Sequence, residues 1–226
     1  MDFFVFVLVY NIRTKGDFTM KNYRDLLIDV LQNGEHSTDR TGTGTTKVFG
    51  RQLRWDLKGG FPMVTGKRVP FKSVYGELLW FISGNTNVKW LQDNGITIWD
   101  AWQKADGTIG LGYGHQWRSW ETNKSVIPII EMLEESLGSF DAGERYASIE
   151  YAVEQLKKTK STIDQLQVAI DTIKNNPDSR RIIVNSWNVG DLEDMALPPC
   201  HLMYQFQVSS KGLSLMWTQR KLNCAL

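Results

Sequence analysis

The sequence predicts an α+β domain in which a mixed β-sheet is packed by helices, and three observations lead there. Helical periodicities and strand-like runs alternate along the chain without the regular rhythm of parallel βαβ units. Two long runs near the C-terminal end, His201 to Val208 and Leu213 to Thr218, flank a Ser209-Ser-Lys-Gly212 turn and read as an antiparallel pair. The chain has 226 residues, 42% of them hydrophobic and 12% aromatic, which suits one domain with a sizeable core.

The elements follow in order. Asp2 to Tyr10 is an apolar run about half the length of a membrane span. It has neither the positive flank nor the small-residue cleavage site of a signal peptide. A buried strand or an artefact of start-site choice accounts for it, and the artefact is preferred, so residues 1–19 are expected to be a non-native extension. Tyr23, Leu26, Leu27, Val30 and Leu31 have helical spacing, and Asn33-Gly34 ends that helix. After the polar, glycine-punctuated stretch Ser37 to Thr45, Val48 to Leu57 reads as a strand that stops at Gly59-Gly60.

Phe71 to Ile82 is a strongly apolar helix, and Val88 to Leu91 begins a shorter one. Thr97 to Trp102 and Leu111 to Trp117 are rich in aromatics and glycine, as pocket-lining loops are. Residues 121–160 carry two helical patterns, around Ile127–Leu137 and Tyr146–Leu156, split by Gly138-Ser-Phe-Asp-Ala-Gly143. Dense charge and few aromatics mark this stretch as an inserted hairpin. Ile163 to Ile173 is an amphipathic helix ended by Asn175-Asn176-Pro177, and Arg181 to Trp187 is a β-rich run.

Charge and cysteine usage exclude several classes. A net charge of +1 supplies no basic field for DNA, and no membrane association is expected. Two cysteines, Cys200 and Cys224, make no disulfide framework, and neither they nor His36, His115 and His201 have metal-ligand spacing, so no metal is expected. A reducing cytoplasm fits this usage best.

The chemistry concentrates around Cys200. A lone intracellular cysteine is most often a small buried hydrophobe. This one follows two prolines and precedes a strand, so its thiol is held rigidly, and a nearby cation would favour its thiolate. Arg40, Arg180, Arg181 and Arg220 are the candidates; four arginines also suit a phosphate monoester, whose oxygens guanidinium binds bidentately. Arg180 and Arg181 on a strand would point to opposite faces, so at most one would serve a given pocket. Glu77 lies within the apolar helix, either reaching water at its edge or buried as an acid with a raised pKa.

A set of ordered motifs then resembles the thymidylate synthase family. They are Asp39-Arg-Thr-Gly-Thr-Gly-Thr45, Gly60-Phe-Pro62, Thr65 with Lys67-Arg68, Glu77-Leu-Leu-Trp-Phe81, Gly84-Asn-Thr-Asn87 and Thr97-Ile-Trp-Asp100. Tyr113-Gly114 with Gln116-Trp117-Arg118, Asp178 to Val184, Trp187-Asn188, Met195 to His201 and Gln219-Arg220 complete the set. The match begins at Met20, which would make Met20 the natural start and 20–220 the partial family domain.

The resemblance implies reductive methylation of dUMP to dTMP by a homodimer, with 5,10-methylenetetrahydrofolate as donor of one carbon and a hydride. Cys200 would add to C6 of the pyrimidine and make C5 nucleophilic. Arg40, Arg180, Arg181 and Arg220 would bind the 5′-phosphate, with Arg180 and Arg181 reaching from the partner subunit. Glu77 would organise proton transfers near O4, and Tyr113 would assist removal of the C5 proton. His201 and Gln219 fall at pocket positions, and Trp99 and Trp102 would flank the folate.

The sequence departs from the family pattern in three places. The insertion at 121–160 stands where relatives have a shorter connection, and its deletion is expected to leave turnover intact. Pro70 replaces a histidine near the folate. After Arg220 the family continues with serine, aspartate and a Leu-Gly-Leu-Pro-Phe-Asn-type segment, whereas this chain reads Lys221-Leu-Asn-Cys-Ala-Leu226. The family's C-terminal portion is therefore expected to be missing, with 221–226 a divergent tail from an interrupted gene. The missing portion carries the asparagine that reads the pyrimidine and the pair that holds the ribose. Two alternatives stay open: a dUMP or dCMP hydroxymethylase, and a non-catalytic fragment.

Overall fold

The computed structural model of the chain describes residues 4–12, 18–38, 44–63, 68–122, 129, 132, 135, 149, 151, 152 and 161–222. The apolar run near the start is a strand, β1 (Phe4–Ile12), and helix α1 (Phe18–Asn33) follows it. The Gly34 N–H donates to the Val30 carbonyl at 3.0 Å and closes α1 where the Asn33-Gly34 signal placed its end. Strands β2 (Glu35–Ser37) and β3 (Thr45–Lys47) pair antiparallel on either side of 39–43, which lie outside the described residues. The strand expected from Val48 starts only at Gln52, as β4 (Gln52–Lys58). Gly50 has φ +67°, a left-handed conformation that turns the chain before the ladder begins.

Helices α2 (Phe71–Ile82) and α3 (Lys89–Asp93) match their periodicity. Thr97 to Trp102 is a turn ending in a 3-10 segment at Asp100–Trp102. The second expected loop is corrected: Tyr113–Arg118 is a helix, α4. Tyr113 and Trp117, one turn apart, both face the core, so a buried helical face overrides the loop-like composition. Gly114 permits this, because its backbone lies against the turn at Gly84 and Asn85. A Cβ there would sit 2.8 Å from the Asn85 carbonyl oxygen and 2.9 Å from the Gly84 carbonyl carbon. Gly114→Ala is expected to cost about 3 kcal/mol, the upper range for overpacking against backbone that cannot yield. An unchanged urea midpoint in the variant would refute this close packing.

Strands β5 (Trp120–Thr122) and β6 (Ser161–Ile163) pair antiparallel, joining Trp120 to Ile163, Glu121 to Thr162 and Thr122 to Ser161. The two ends of the expected insertion therefore meet, while its helical patterns lie almost wholly outside the described residues. Helix α5 (Gln165–Asn175) begins two residues later than the Ile163 boundary, since Ile163 belongs to β6. Asp164 caps α5 by accepting from the Gln167 N–H at 2.9 Å. Of the run Arg181 to Trp187 only Ile183–Asn185 forms a strand, β7. The last pair is as expected: β8 (His201–Ser209) and β9 (Gly212–Gln219).

The main sheet has the order β4-β1-β9-β8-β7. β1 runs parallel to β4 and antiparallel to β9, with Val5 opposite both Gln52 and Thr218. The β8–β9 and β7–β8 pairs are antiparallel, so the sheet is mixed and the α+β class holds. The principal core sits where α2, α4 and α5 meet β7, around Trp80, Phe81, Leu91, Trp99, Ile109, Tyr113, Trp117, Ile182 and Val184. Gln165 ties these layers: its amide donates to the carbonyls of Gln116 at 2.7 Å and Asn185 at 2.9 Å, and its oxygen accepts from the Asn185 N–H at 2.9 Å. No helix among the described residues is long and apolar enough to cross a membrane.

Candidate active site

The Pro198-Pro199 pair leads straight into Cys200 and the first residue of β8, so the thiol sits at the mouth of the strand. Pro199 is fully buried and Cys200 half-buried. Tyr113, on the first turn of α4, reaches this point. Its hydroxyl oxygen accepts from the Cys200 N–H at 2.7 Å and the His201 N–H at 3.3 Å. Both contacts use the oxygen as acceptor, which leaves the phenolic hydrogen free to donate elsewhere. Burial raises the Tyr113 pKa well above its ordinary value, with the two backbone donors opposing, so the phenol stays neutral at physiological pH.

Arg220 follows β9 and comes back to the same place. Its backbone N–H donates to the Cys200 carbonyl at 2.8 Å. Its guanidinium Nη2 donates to Cys200 Sγ at 3.8 Å, and Nε lies 3.4 Å from the Pro199 carbonyl oxygen. The cation that a reactive cysteine requires is therefore in contact with it.

Glu77 projects from α2 on the edge of the core. Burial raises its pKa, and the Trp99 indole N–H, donating to Oε1 at 2.7 Å, partly offsets that. Glu77 is thus neither fully exposed nor fully buried, and its carboxyl pKa is shifted upward by burial. Trp99 is only 6% exposed, its ring centroid 6.3 Å from that of Tyr113, so its face belongs to the core and its N–H to Glu77. Trp102 is half-buried against the same core and keeps free surface.

His201 stacks at a tilt beside Tyr113, ring centroids 5.3 Å apart, with Trp217 edge-on at 4.7 Å. Burial pushes its pKa from 6.5 down to about 4. A histidine held neutral by the fold costs nothing above pH 6.5. Below that the unfolded chain takes a proton that the folded one refuses, so stability falls as pH drops from 6.5 towards 4. The loss is on the order of 3 kcal/mol when complete. His201→Gln is expected to flatten this acid limb in urea titrations, and an unchanged slope between pH 6.5 and 4 would contradict the burial. Gln219 pairs with His201 across β8–β9, and its side-chain amide donates to the Lys221 carbonyl at 2.6 Å.

Glu77, Trp99, Tyr113, Cys200, His201, Gln219 and Arg220 thus form one connected region. Arg180 and Arg181 do not join it. Both are exposed and both precede β7, so the opposite-face argument, which assumed that they lie within the strand, does not apply to them. Arg40 and Cys224 lie outside the described residues. One neighbour was missed in the sequence: Trp187, whose ring lies 5.9 Å from the Arg220 guanidinium carbon. It stood among the ordered motifs without any residue pattern to give it a task. Among the described residues no group of three or more His, Cys, Asp or Glu side chains could hold a metal ion.

A neutral phenol and a guanidinium meet at a rigidly held cysteine, and the Glu77 carboxyl is joined to the phenol's side through Trp99, which equips the region for nucleophilic addition with proton transfer. Comparison with protein families finds that the thymidylate synthase family model matches residues 21–226. With that match spanning nearly the whole sequence and the thiol, phenol and guanidinium joined in space, the chain belongs to the thymidylate synthase family.

Proposed function

We propose that the chain performs reductive methylation of dUMP to dTMP, and the contact between Arg220 Nη2 and Cys200 Sγ carries the proposal. The Cys200 thiolate attacks C6 of the pyrimidine. The ring electrons move towards O4, where Glu77 stands as a carboxyl whose pKa burial raises. Tyr113, its oxygen accepting from two backbone donors, has its hydroxyl hydrogen left to donate. A neutral phenol of this kind assists loss of the C5 proton by orienting the water molecule that accepts it, rather than by acting as a phenolate. Arg220 and Arg40 take the 5′-phosphate, together with Arg180 and Arg181 of a partner subunit in a homodimer. The exposure of these two arginines supports a role across an interface. His201, neutral through burial, and Gln219 complete the nucleotide side of the pocket.

The family's folate cosubstrate, 5,10-methylenetetrahydrofolate, supplies one carbon and a hydride when bound. Trp102 suits it best, because its ring keeps free surface while that of Trp99 is covered. Trp99 serves the same side by fixing the Glu77 carboxyl. Residues 121–160 stay outside the chemistry, a reading supported by the pairing of the insertion's two ends in β5 and β6.

Tritium release from C5-labelled dUMP with methylenetetrahydrofolate, followed by mass analysis of the product, tests the proposal. Release with formation of dTMP is expected. Release with a hydroxymethyl product would assign the hydroxymethylase activity instead. No release from soluble, folded protein would leave a non-catalytic fragment.

A further inference from the structure

Arg220 is held in an unusual way for a charged group near a thiol. Among the described residues no carboxylate pairs with it; the guanidinium has the Pro199 carbonyl on one side and the Trp187 indole on another. A carboxylate would orient the arginine and also cancel its field. An aromatic face orients a cation by its quadrupole and leaves the charge available. Trp187 is itself anchored on both sides. Its backbone N–H donates to Asn185 Oδ1 at 3.0 Å, and the Asn185 side-chain amide lies 3.3 Å from the Trp187 carbonyl oxygen. The preceding residue, Ser186, is fully buried, donates its N–H to the Leu202 carbonyl at 2.8 Å, and accepts the Trp117 indole N–H at 2.7 Å. The backbone that carries the indole is therefore fixed by the end of β7 and the start of β8, the strand that Cys200 precedes.

We propose that Trp187 is a positioning residue whose indole face holds the Arg220 guanidinium against Cys200 Sγ without neutralising it. It acts on the thiol only through Arg220 and touches no reacting atom. The proposal rests on Cys200 being the nucleophile, but its test requires neither dUMP nor folate, so the two readings fail separately.

The test is the alkylation rate of Cys200 by iodoacetamide at neutral pH, followed by intact mass on the full-length chain in a Cys224→Ser background. Trp187→Leu is expected to slow alkylation about tenfold, and Trp187→Phe, which keeps a flat aromatic face, to stay within about threefold of the parent. Arg220→Gln is expected to slow it at least as much, and adding Trp187→Leu to Arg220→Gln to change nothing further. Circular dichroism checks each fold, and Trp187→Met takes the place of the leucine variant should that one be unfolded. Equal rates for Trp187→Leu or Trp187→Met and the parent would overturn the proposal. So would a Phe variant as slow as the leucine one, or a Trp187 effect that persists undiminished without Arg220.

Discussion

Cys200→Ala is expected to lower tritium release from C5-labelled dUMP by at least about 10⁴-fold, to background. The release depends on a covalent bond at C6, and no other described nucleophile shares the position: Tyr113 is neutral and both backbone N–H groups beside it bind its oxygen. The substitution is small. Cys200 is half-buried, and its backbone contacts to Tyr113 and Arg220 do not use the sulfur, so folding and the unfolding midpoint should change little. Mass spectrometry gives a second readout, since the parent should form a covalent adduct with a C5-fluorinated dUMP analogue and folate, and the alanine variant none. Retained release in the variant would remove Cys200 from the chemistry altogether.

Glu77→Gln is expected to reduce turnover by about 10²–10³-fold while leaving the protein as stable as the parent, or more so, at pH 7. Glutamine keeps an oxygen to accept the Trp99 N–H but has no proton to exchange at O4. The sign of the stability effect follows from burial. The folded-state pKa of Glu77 lies above its ordinary 4.5, so the folded chain holds the proton more tightly. Stability therefore falls as pH rises from 4.5 through the folded-state value, and above it the cost of a charged, partly buried carboxylate is fully present. Glutamine removes that cost, and the difference between the two proteins should vanish below pH 4.5. Urea titrations at pH 4 and pH 7, set beside tritium release, check both halves. A variant that loses activity and stability together at pH 7 would mean that the carboxyl holds the fold rather than serving the chemistry.

The elements that were legible in the sequence are those whose signal is local. Helix α2 needed only the apolar spacing of Phe71 to Ile82, and β8 and β9 only two strand-like runs about a Ser-Lys-Gly turn. Helix α4 was misread because glycine and aromatic content resembles a loop until the Gly84–Asn85 backbone is known to lie against Gly114. Strand β4 was read too long because a left-handed glycine at position 50 gives no sign in a hydrophobic pattern.

The same division runs through the site. The ordered motifs identified the family and singled out Cys200, Glu77, Tyr113 and Arg220, because a residue type in a motif is a one-dimensional signal. The state of Glu77 was undecided between water and burial until the fold surrounded it and gave its oxygen to Trp99. Trp187 carried no task until Arg220, far away along the chain, came to rest near its ring. Residue identity fixes which groups can do chemistry. Desolvation and the contacts between distant segments decide which of them hold a proton, carry an unquenched charge or meet the sulfur, and only the tertiary structure sets those.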